Sequence, residues 1–223
     1  SLALAILFAA TDNWPQWHAY AWTASAISGL LNLIGLAFLY HAIQRGPVAV
    51  ASPASGSFSV MLVIINGLMG HPFSWGHMLA VILVFIGVVM LTQPDKKTNQ
   101  QPQYDAKWLR VTAYYGLAAA TAISVRFYLA QDAGDILGPL PSLFLNRLFA
   151  CLFTTLILVF MLIRSGVPSL PKGSIWWLVL LQAVLESLAL WAFLTGSSDG
   201  NRIAATIGFS AYAAVSTLVA WLL

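Results

Sequence analysis

Long apolar runs separated by short polar segments fill most of the chain. Seven of the runs are close to the roughly 20 residues that an α-helix needs to cross the hydrocarbon layer of a bilayer. They are residues 22–40, 48–69, 75–92, 111–130, 143–163, 175–194 and 203–223. No alternation of polar and apolar positions runs through them, which argues against a barrel. The pattern predicts an all-α integral membrane protein.

The composition agrees, because 60% of the 223 residues are hydrophobic and only 8% are charged. Soluble domains average roughly 25% charged residues. The net charge of +3 does not indicate a nucleic-acid partner, because the basic residues lie mainly in the connections and act as orientation signals. With a single cysteine, Cys151, the chain can form no internal disulfide.

A polar stretch, residues 93–107, divides the chain into halves that repeat weakly. A shift of 155 residues places Trp22 on Trp177 and Ser55 on Ser210. We therefore expect a first repeat at 1–92, a polar linker at 93–107 and a second repeat at 108–223. An odd number of helices per repeat would invert the second copy and place a substrate site between the two repeats, near the membrane midplane.

Two stretches resemble a known family. Residues 46–94, "GPVAVASPASGSFSVMLVIINGLMGHPFSWGHMLAVILVFIGVVMLTQP", resemble the end of a repeat in EamA-type transporters of the drug/metabolite transporter superfamily. Residues 138–160 look like the second helix of a repeat, which opens with proline and has an arginine just inside, here Arg147. One departure is Gly70-His71-Pro72, where the family commonly has glutamate after the glycine.

The resemblance implies a helical bundle of two inverted repeats. The family fold has ten helices, of which about eight would be present: the end of helix 2 and helices 3 to 9, with helices 1 and 10 missing. It also implies a bacterial inner-membrane location. The family is usually drawn with both termini inside, which places the 93–107 linker outside, whereas the basic residues of this chain favour a cytoplasmic linker.

Three charged residues lie within the predicted spans: Arg126, Arg147 and Glu186. Both arginines are near the predicted loop that contains Asp132 and Asp135. Two interpretations stay open for these four residues. They form local pairs at the membrane surface, or the arginines bind an anionic substrate, because a guanidinium grips a carboxylate through two hydrogen bonds.

Glu186 lies near the middle of its span, where a charged side chain costs on the order of 3 kcal/mol. We therefore expect it to face the bundle interior or a hydrated cavity, with Gln182 on the same helical face. It is a candidate proton carrier or substrate contact, and the alternative is a buried acid that only packs. Asn32 lies one position from its equivalent in the first repeat.

Small polar residues follow one face of two further spans. Ser52, Ser55 and Ser59 lie on the first of these faces, and Thr206 and Ser210 on the second. Such faces pack helices closely or line a cavity, and both interpretations stay open. Two aromatic residues, Trp191 and Tyr212, are candidates for the apolar walls of a pocket.

Enzyme signatures are absent: the sequence has no glycine-rich phosphate loop, no cysteine pair and no histidines at metal-binding spacing. We expect no enzymatic activity, cofactor or metal. The predicted function is secondary transport of a small organic metabolite, such as an amino acid, by alternating access, with protons as a candidate coupling ion. The alternatives are a nucleotide-sugar or organophosphate carrier and a non-transporting scaffold or lipid-binding protein. The partners are a small-molecule substrate and the lipid bilayer, with no nucleic acid, and a homodimer is compatible with the composition.

Overall fold

The described part of the chain is α-helical, and it contains no strand. The structure, a computed structural model, describes residues 14–45, 48–71, 74–79, 82–83, 86, 106–166, 173, 175–198 and 201–210. Its helices are α1 (Ala19–Arg45), α2 (Val48–Gly56), α3 (Phe58–Leu68), α4 (Ala106–Leu137), α5 (Pro139–Ser165), α6 (Ile175–Ser197) and α7 (Arg202–Ser210). The predicted all-α class is confirmed.

Among the described residues, three helices are long and apolar enough to cross a membrane. They are α1, residues Pro139–Arg164 of α5, and α6. A bilayer favours such helices because each satisfies its backbone hydrogen bonds internally, where no water is available. The predicted spans at 22–40, 143–163 and 175–194 coincide with them. The prediction of an integral membrane protein is thereby supported.

The other predicted spans differ in extent from the helices. The run at 48–69 is divided into α2 and α3 by Ser57, whose hydroxyl donates to the Ala54 carbonyl at 2.7 Å. A hydrogen bond from a side chain to a backbone carbonyl competes with the regular backbone hydrogen bonds of a helix. The run at 111–130 lies inside the longer α4. Most of 75–92, nearly all of the 93–107 linker, and residues 211–223 lie outside the described residues.

The helices group into two compact units. Unit one consists of the described parts of Ser1–Leu30 and Leu129–Ser198, and therefore of the start of α1, the end of α4, α5 and α6. Its apolar contacts join Ala21 and Ala24 of α1 with Ala133 of α4. Phe144 and Leu145 of α5 form a second cluster nearby.

Within unit one, α4 passes into α5 through a single non-helical residue, Gly138. Its φ of 91° lies in a region that L side chains rarely adopt, so glycine is favoured at this position. Pro139 follows in the first turn of α5, where its missing N–H has no helical partner to lose. The Gly-Pro pair therefore sets the boundary between the two helices.

α1 and α5 approach each other closely in the same unit. A Cβ on Gly29 would lie 2.9 Å from the Ala150 nitrogen and 3.0 Å from the Phe149 Cβ. Beside Gly29, the buried Ser28 hydroxyl accepts a hydrogen bond from the side-chain amide of Asn146, which lies one turn before Ala150 on α5. Gly29 thus allows the two helix backbones to approach closely at this crossing. The hydrogen bond between Asn146 and Ser28 fixes the position of one helix along the other.

Unit two consists of the described parts of Leu31–Tyr128 and Asp199–Leu223. α3 packs against α7 through Val63 and Ile203. The rings of Phe58, Phe127 and Phe209 contact one another, with centroids 5.2 to 6.3 Å apart. These apolar contacts join α3, α4 and α7.

Candidate functional site

α5 and α6 each bring one charged side chain to a shared contact in unit one. NH1 of Arg147 donates to Oε1 of Glu186 at 3.1 Å, which forms an ion pair across 39 positions of sequence. α5 and α6 pack against each other, and a short connection makes them sequential neighbours. The pair therefore links two membrane-spanning helices through opposite charges.

The pair lies deep along the helices. Eleven residues separate Glu186 from each end of α6, about 16 Å at the helical rise of ~1.5 Å per residue. Arg147 lies eight residues after Pro139, about 12 Å into α5. An isolated charge at such a depth costs about 2.5–3.5 kcal/mol on insertion scales, and pairing two opposite charges offsets part of that cost.

The two partners differ in exposure and in how fully they are hydrogen bonded. The Glu186 side chain is 47% exposed and the Arg147 side chain 15%. Nε and NH2 of Arg147 are buried and have no hydrogen-bond partner among the described residues. A buried donor left in this way costs about 1–3 kcal/mol. The guanidinium therefore has hydrogen-bonding capacity that Glu186 does not use.

Three further side chains mark the surroundings of the ion pair. Gln182, one turn before Glu186, and Trp191, five residues after it, are both exposed. Cys151 is exposed one turn after Arg147 on α5. Polar and reactive side chains thus lie within one or two turns of the pair.

Arg126 and Asn32 belong to unit two. Arg126 is buried, and its guanidinium carbon lies 4.8 Å from the Phe127 ring centroid. Asn32 is buried in α1. Arg126 and Arg147 lie on consecutive helices, α4 and α5, as the sequence predicts, and they belong to different units.

The two aspartates near the end of α4 correct one expectation. Asp132 and Asp135 do not lie in a loop, because α4 continues to Leu137. Asp132 accepts a hydrogen bond from the Tyr20 hydroxyl at 2.6 Å. The apolar run ends at residue 130, but a helix at a membrane surface tolerates polar side chains, and the chain turns only at Gly138.

Two of the small polar candidates in unit two, Thr206 and Ser59, bond to backbone carbonyls three or four residues earlier in the chain. The Thr206 hydroxyl is buried and donates to the Arg202 carbonyl at 2.8 Å, and the buried Ser59 hydroxyl lies 3.4 Å from the Gly56 carbonyl. Ser55 is partly buried. The side chains of Ser52 and Ser210, and the whole of Tyr212, lie outside the described residues. The described geometry does not test their expected cavity-lining role.

Sequence reasoning missed two features. The first is the pairing of Arg147 with Glu186. The sequence predicts Arg147 near the start of its span because the apolar run starts at residue 143, but α5 starts one turn earlier, so Arg147 lies deeper. The second is Arg202, which immediately precedes the predicted span at 203–223. It is buried at the start of α7, with its guanidinium carbon 5.8 Å from the Tyr128 ring centroid. Neither has a local sequence signal.

No metal site occurs within the part of the chain that the structure describes, where no three His, Cys, Asp or Glu side chains cluster. Comparison with known proteins gives one family. Residues 1–93 match the EamA-like transporter family. The resemblance to EamA-type transporters is thereby confirmed. No curated protein matches the chain.

The match covers less than half of the 223 residues and ends before Arg147 and Glu186. The matched family consists of membrane transporters of small molecules. The match assigns no role to the ion pair, so any role for the pair is argued from its own geometry.

Proposed function

We propose that the protein is a secondary transporter of a small organic metabolite and that Arg147 and Glu186 form the centre of its substrate site. The mid-span ion pair is the observation that supports this most directly. Ionisable residues at membrane depth are costly and usually mark the path of a substrate or an ion. The EamA-like match at residues 1–93 independently supports transport of a small molecule.

The pair is better suited to a transport site than to a structural clasp. A clasp would be expected to use the guanidinium fork fully, with two parallel hydrogen bonds to one carboxylate. Here one 3.1 Å contact is made, two guanidinium nitrogens lack partners among the described residues, and about half of the carboxylate side chain is exposed. An arrangement of this kind can open at small energetic cost when a ligand offers better partners.

In this proposal the two repeats, 1–92 and 108–223, alternate access to the site from the two membrane faces. Arg147 contacts the substrate, and Glu186 contacts the substrate or transfers a proton. We propose that the protein exports its substrate from a bacterial cytoplasm across the inner membrane. The proposed substrate is an amino acid or a similar metabolite.

The test is flux in liposomes that contain the full-length protein. Labelled amino acids, organic acids, nucleotide sugars and phosphate esters are supplied in turn, with and without a pH gradient. We expect flux of one class, and we expect Arg147→Gln and Glu186→Gln to change it at least about ten-fold, the equivalent of 1.4 kcal/mol. Arg164→Gln, at the exposed end of α5, is the matched control and should leave flux unchanged.

Two outcomes contradict the proposal. Absence of flux for every class would favour a scaffold or lipid-binding protein. Flux that is equally sensitive to Arg147→Gln and Arg164→Gln would remove the pair from the transport path. A pH gradient without effect on flux would remove the role of protons and leave the substrate site in place.

A further inference from the structure

When Arg147 and Glu186 separate, only one of the two side chains can lose its charge. A guanidinium stays protonated at any physiological pH, whereas a carboxylate can take up a proton. If a cationic ligand displaced Arg147, a charge would remain that cannot be neutralised. If an anionic ligand displaces Glu186, the released acid can be neutralised by one proton from water.

We infer that Arg147 binds a substrate carboxylate in exchange for Glu186 and that Glu186 takes up one proton as it is released. The inference rests on the proposed function and specifies its substrate class: a small organic acid that binds together with a proton. The Glu186 carboxylate gains one O–H bond, and a hydronium ion of the bulk water loses one and becomes water. No electron transfer is involved.

The geometry favours exchange over simultaneous binding of both carboxylates. Nε and NH2 of Arg147 are buried while NH1 contacts Glu186, so a second acceptor can reach them only when the guanidinium turns away from its partner. After that turn the substrate carboxylate can accept two parallel hydrogen bonds, against the single contact that Glu186 makes. The substrate thereby replaces a weaker bond with a stronger one.

Few other titratable groups can take the proton instead. Glu186 is the only ionisable residue of α6, and the facing helix α5 contributes Arg147, Cys151 and Arg164. Arg164 lies at the far end of α5, more than four turns from Arg147. Of these residues, Glu186 is the one acid that the substrate would displace from a positive charge.

α4 also reaches α6 within unit one. A Cβ on its Gly134 would lie 3.6 Å from Leu194, which is eight residues beyond Glu186. The aspartates of this part of α4, Asp132 and Asp135, therefore lie near the end of α6 rather than at its centre. Asp132 already accepts the Tyr20 hydroxyl.

The inference predicts that Glu186→Gln strengthens substrate binding rather than weakening it. Glutamine keeps the size of the side chain but cannot compete as an anion for Arg147. Binding of a carboxylate should therefore become tighter, by about 5- to 30-fold if the lost competition is worth about 1–2 kcal/mol. A residue that contacted the substrate directly, through an ammonium group for example, would give weaker binding instead.

The binding experiment uses four aromatic probes, three of nearly equal shape and one larger amino acid, on the full-length protein in lipid nanodiscs. Benzoate is an anion, benzamide is neutral, benzylamine is a cation and phenylalanine is a zwitterion. Alkylation of Cys151 by N-ethylmaleimide at fixed pH reports occupancy, because this thiol is exposed one turn from Arg147. Mass spectrometry of the peptide containing Cys151 gives the rate, and Cys151→Ser identifies labelling elsewhere.

We expect benzoate to slow alkylation and benzamide and benzylamine not to. In weak buffer with an indicator dye, benzoate binding should take up about one proton per protein, and Glu186→Gln should abolish this uptake while tightening binding. Arg147→Lys should weaken benzoate binding by about 10- to 100-fold, because a bidentate charged contact is lost. Arg164→Lys should change neither quantity.

Each contrary result overturns the inference. These are equal protection by benzoate and benzamide, no protection by benzoate at any concentration tested, weaker binding in Glu186→Gln, or binding without proton uptake. If phenylalanine alone slowed alkylation of Cys151 and no proton were taken up, Arg147 and Glu186 would instead bind the two opposite charges of a zwitterion. Liposome flux tests the proposed function separately: transport of a neutral or cationic compound would retain the transporter and reject the carboxylate site.

Discussion

The stability of the protein should show a strong, asymmetric coupling between Arg147 and Glu186. Glu186→Leu leaves a guanidinium near the membrane centre with no acid beside it and no means to lose its charge. Insertion scales place such a charge at about 2.5–3.5 kcal/mol, and the long arginine stem recovers part of this by reaching towards the interface. We expect a loss of about 2–3 kcal/mol.

The reciprocal variant, Arg147→Met, should cost less. It also removes the two buried guanidinium nitrogens that lack partners among the described residues, and the remaining Glu186 can become neutral by protonation. We expect a loss of about 1 kcal/mol. The double variant should lie within about 1 kcal/mol of the wild type, because replacing both partners by apolar side chains removes the uncompensated charge.

The measurement is the apparent midpoint of thermal unfolding in detergent, read from the monodisperse fraction that survives heating. For a chain of this size 1 kcal/mol corresponds to roughly 2–4 °C, so Glu186→Leu should lower the midpoint by about 5–10 °C. Gln182→Leu, at an exposed position one turn earlier on α6, is the control and should stay within about 0.5 kcal/mol.

The result that refutes this reasoning is additivity. If the losses of the two single variants sum to that of the double variant within about 0.5 kcal/mol, the side chains do not interact. Exposed ion pairs commonly behave in this way, and Glu186 is 47% exposed. Additive losses would therefore mean that water surrounds the ion pair and that the pair contributes nothing to stability.

Three further changes test the packing of unit one. Gly138→Ala forces a Cβ into a backbone with φ of 91° and should cost about 1–2 kcal/mol by thermal unfolding, whereas Gly208→Ala, in open helical space, should not destabilise. Gly29→Ala places a Cβ 2.9 Å from a backbone nitrogen of α5, so it should lower the midpoint, and Gly29→Leu should lower it further. If both variants unfolded at the wild-type midpoint, the close approach would be contradicted. Tyr20→Phe removes the 2.6 Å bond to Asp132 and should cost about 1.5–3 kcal/mol, against no change if that bond is absent.

The sequence predicted the fold class because a bilayer allows few solutions. Apolar runs of about 20 residues must form helices to satisfy their backbone groups. α1, α5 and α6 accordingly coincide with predicted spans. The ends of helices were predicted less well, because hydropathy measures the apolar run and not the helix. α4 continues through Asp132 and Asp135, and α5 begins one turn before its apolar run.

Part of the candidate site was also accessible from sequence. Glu186 stood out because a carboxylate at mid-span is costly wherever it occurs, and Arg147 stood out as a charged residue inside an apolar span. Their pairing was not accessible, because 39 positions separate them and the contact depends on the rotation of α5 and α6 about their own axes. Hydropathy contains no information about that rotation.

The sequence by itself determined that this chain is a helical membrane protein and which few residues bring charge into the membrane. Those properties follow from the transfer of single side chains and single helices from water to lipid, and each can be calculated one residue at a time. Only the tertiary structure decided that Arg147 meets Glu186, that Arg126 belongs to another unit, and that part of the guanidinium fork lacks a partner among the described residues. These depend on how helices pack, which is a property of pairs of helices and not of either sequence segment alone.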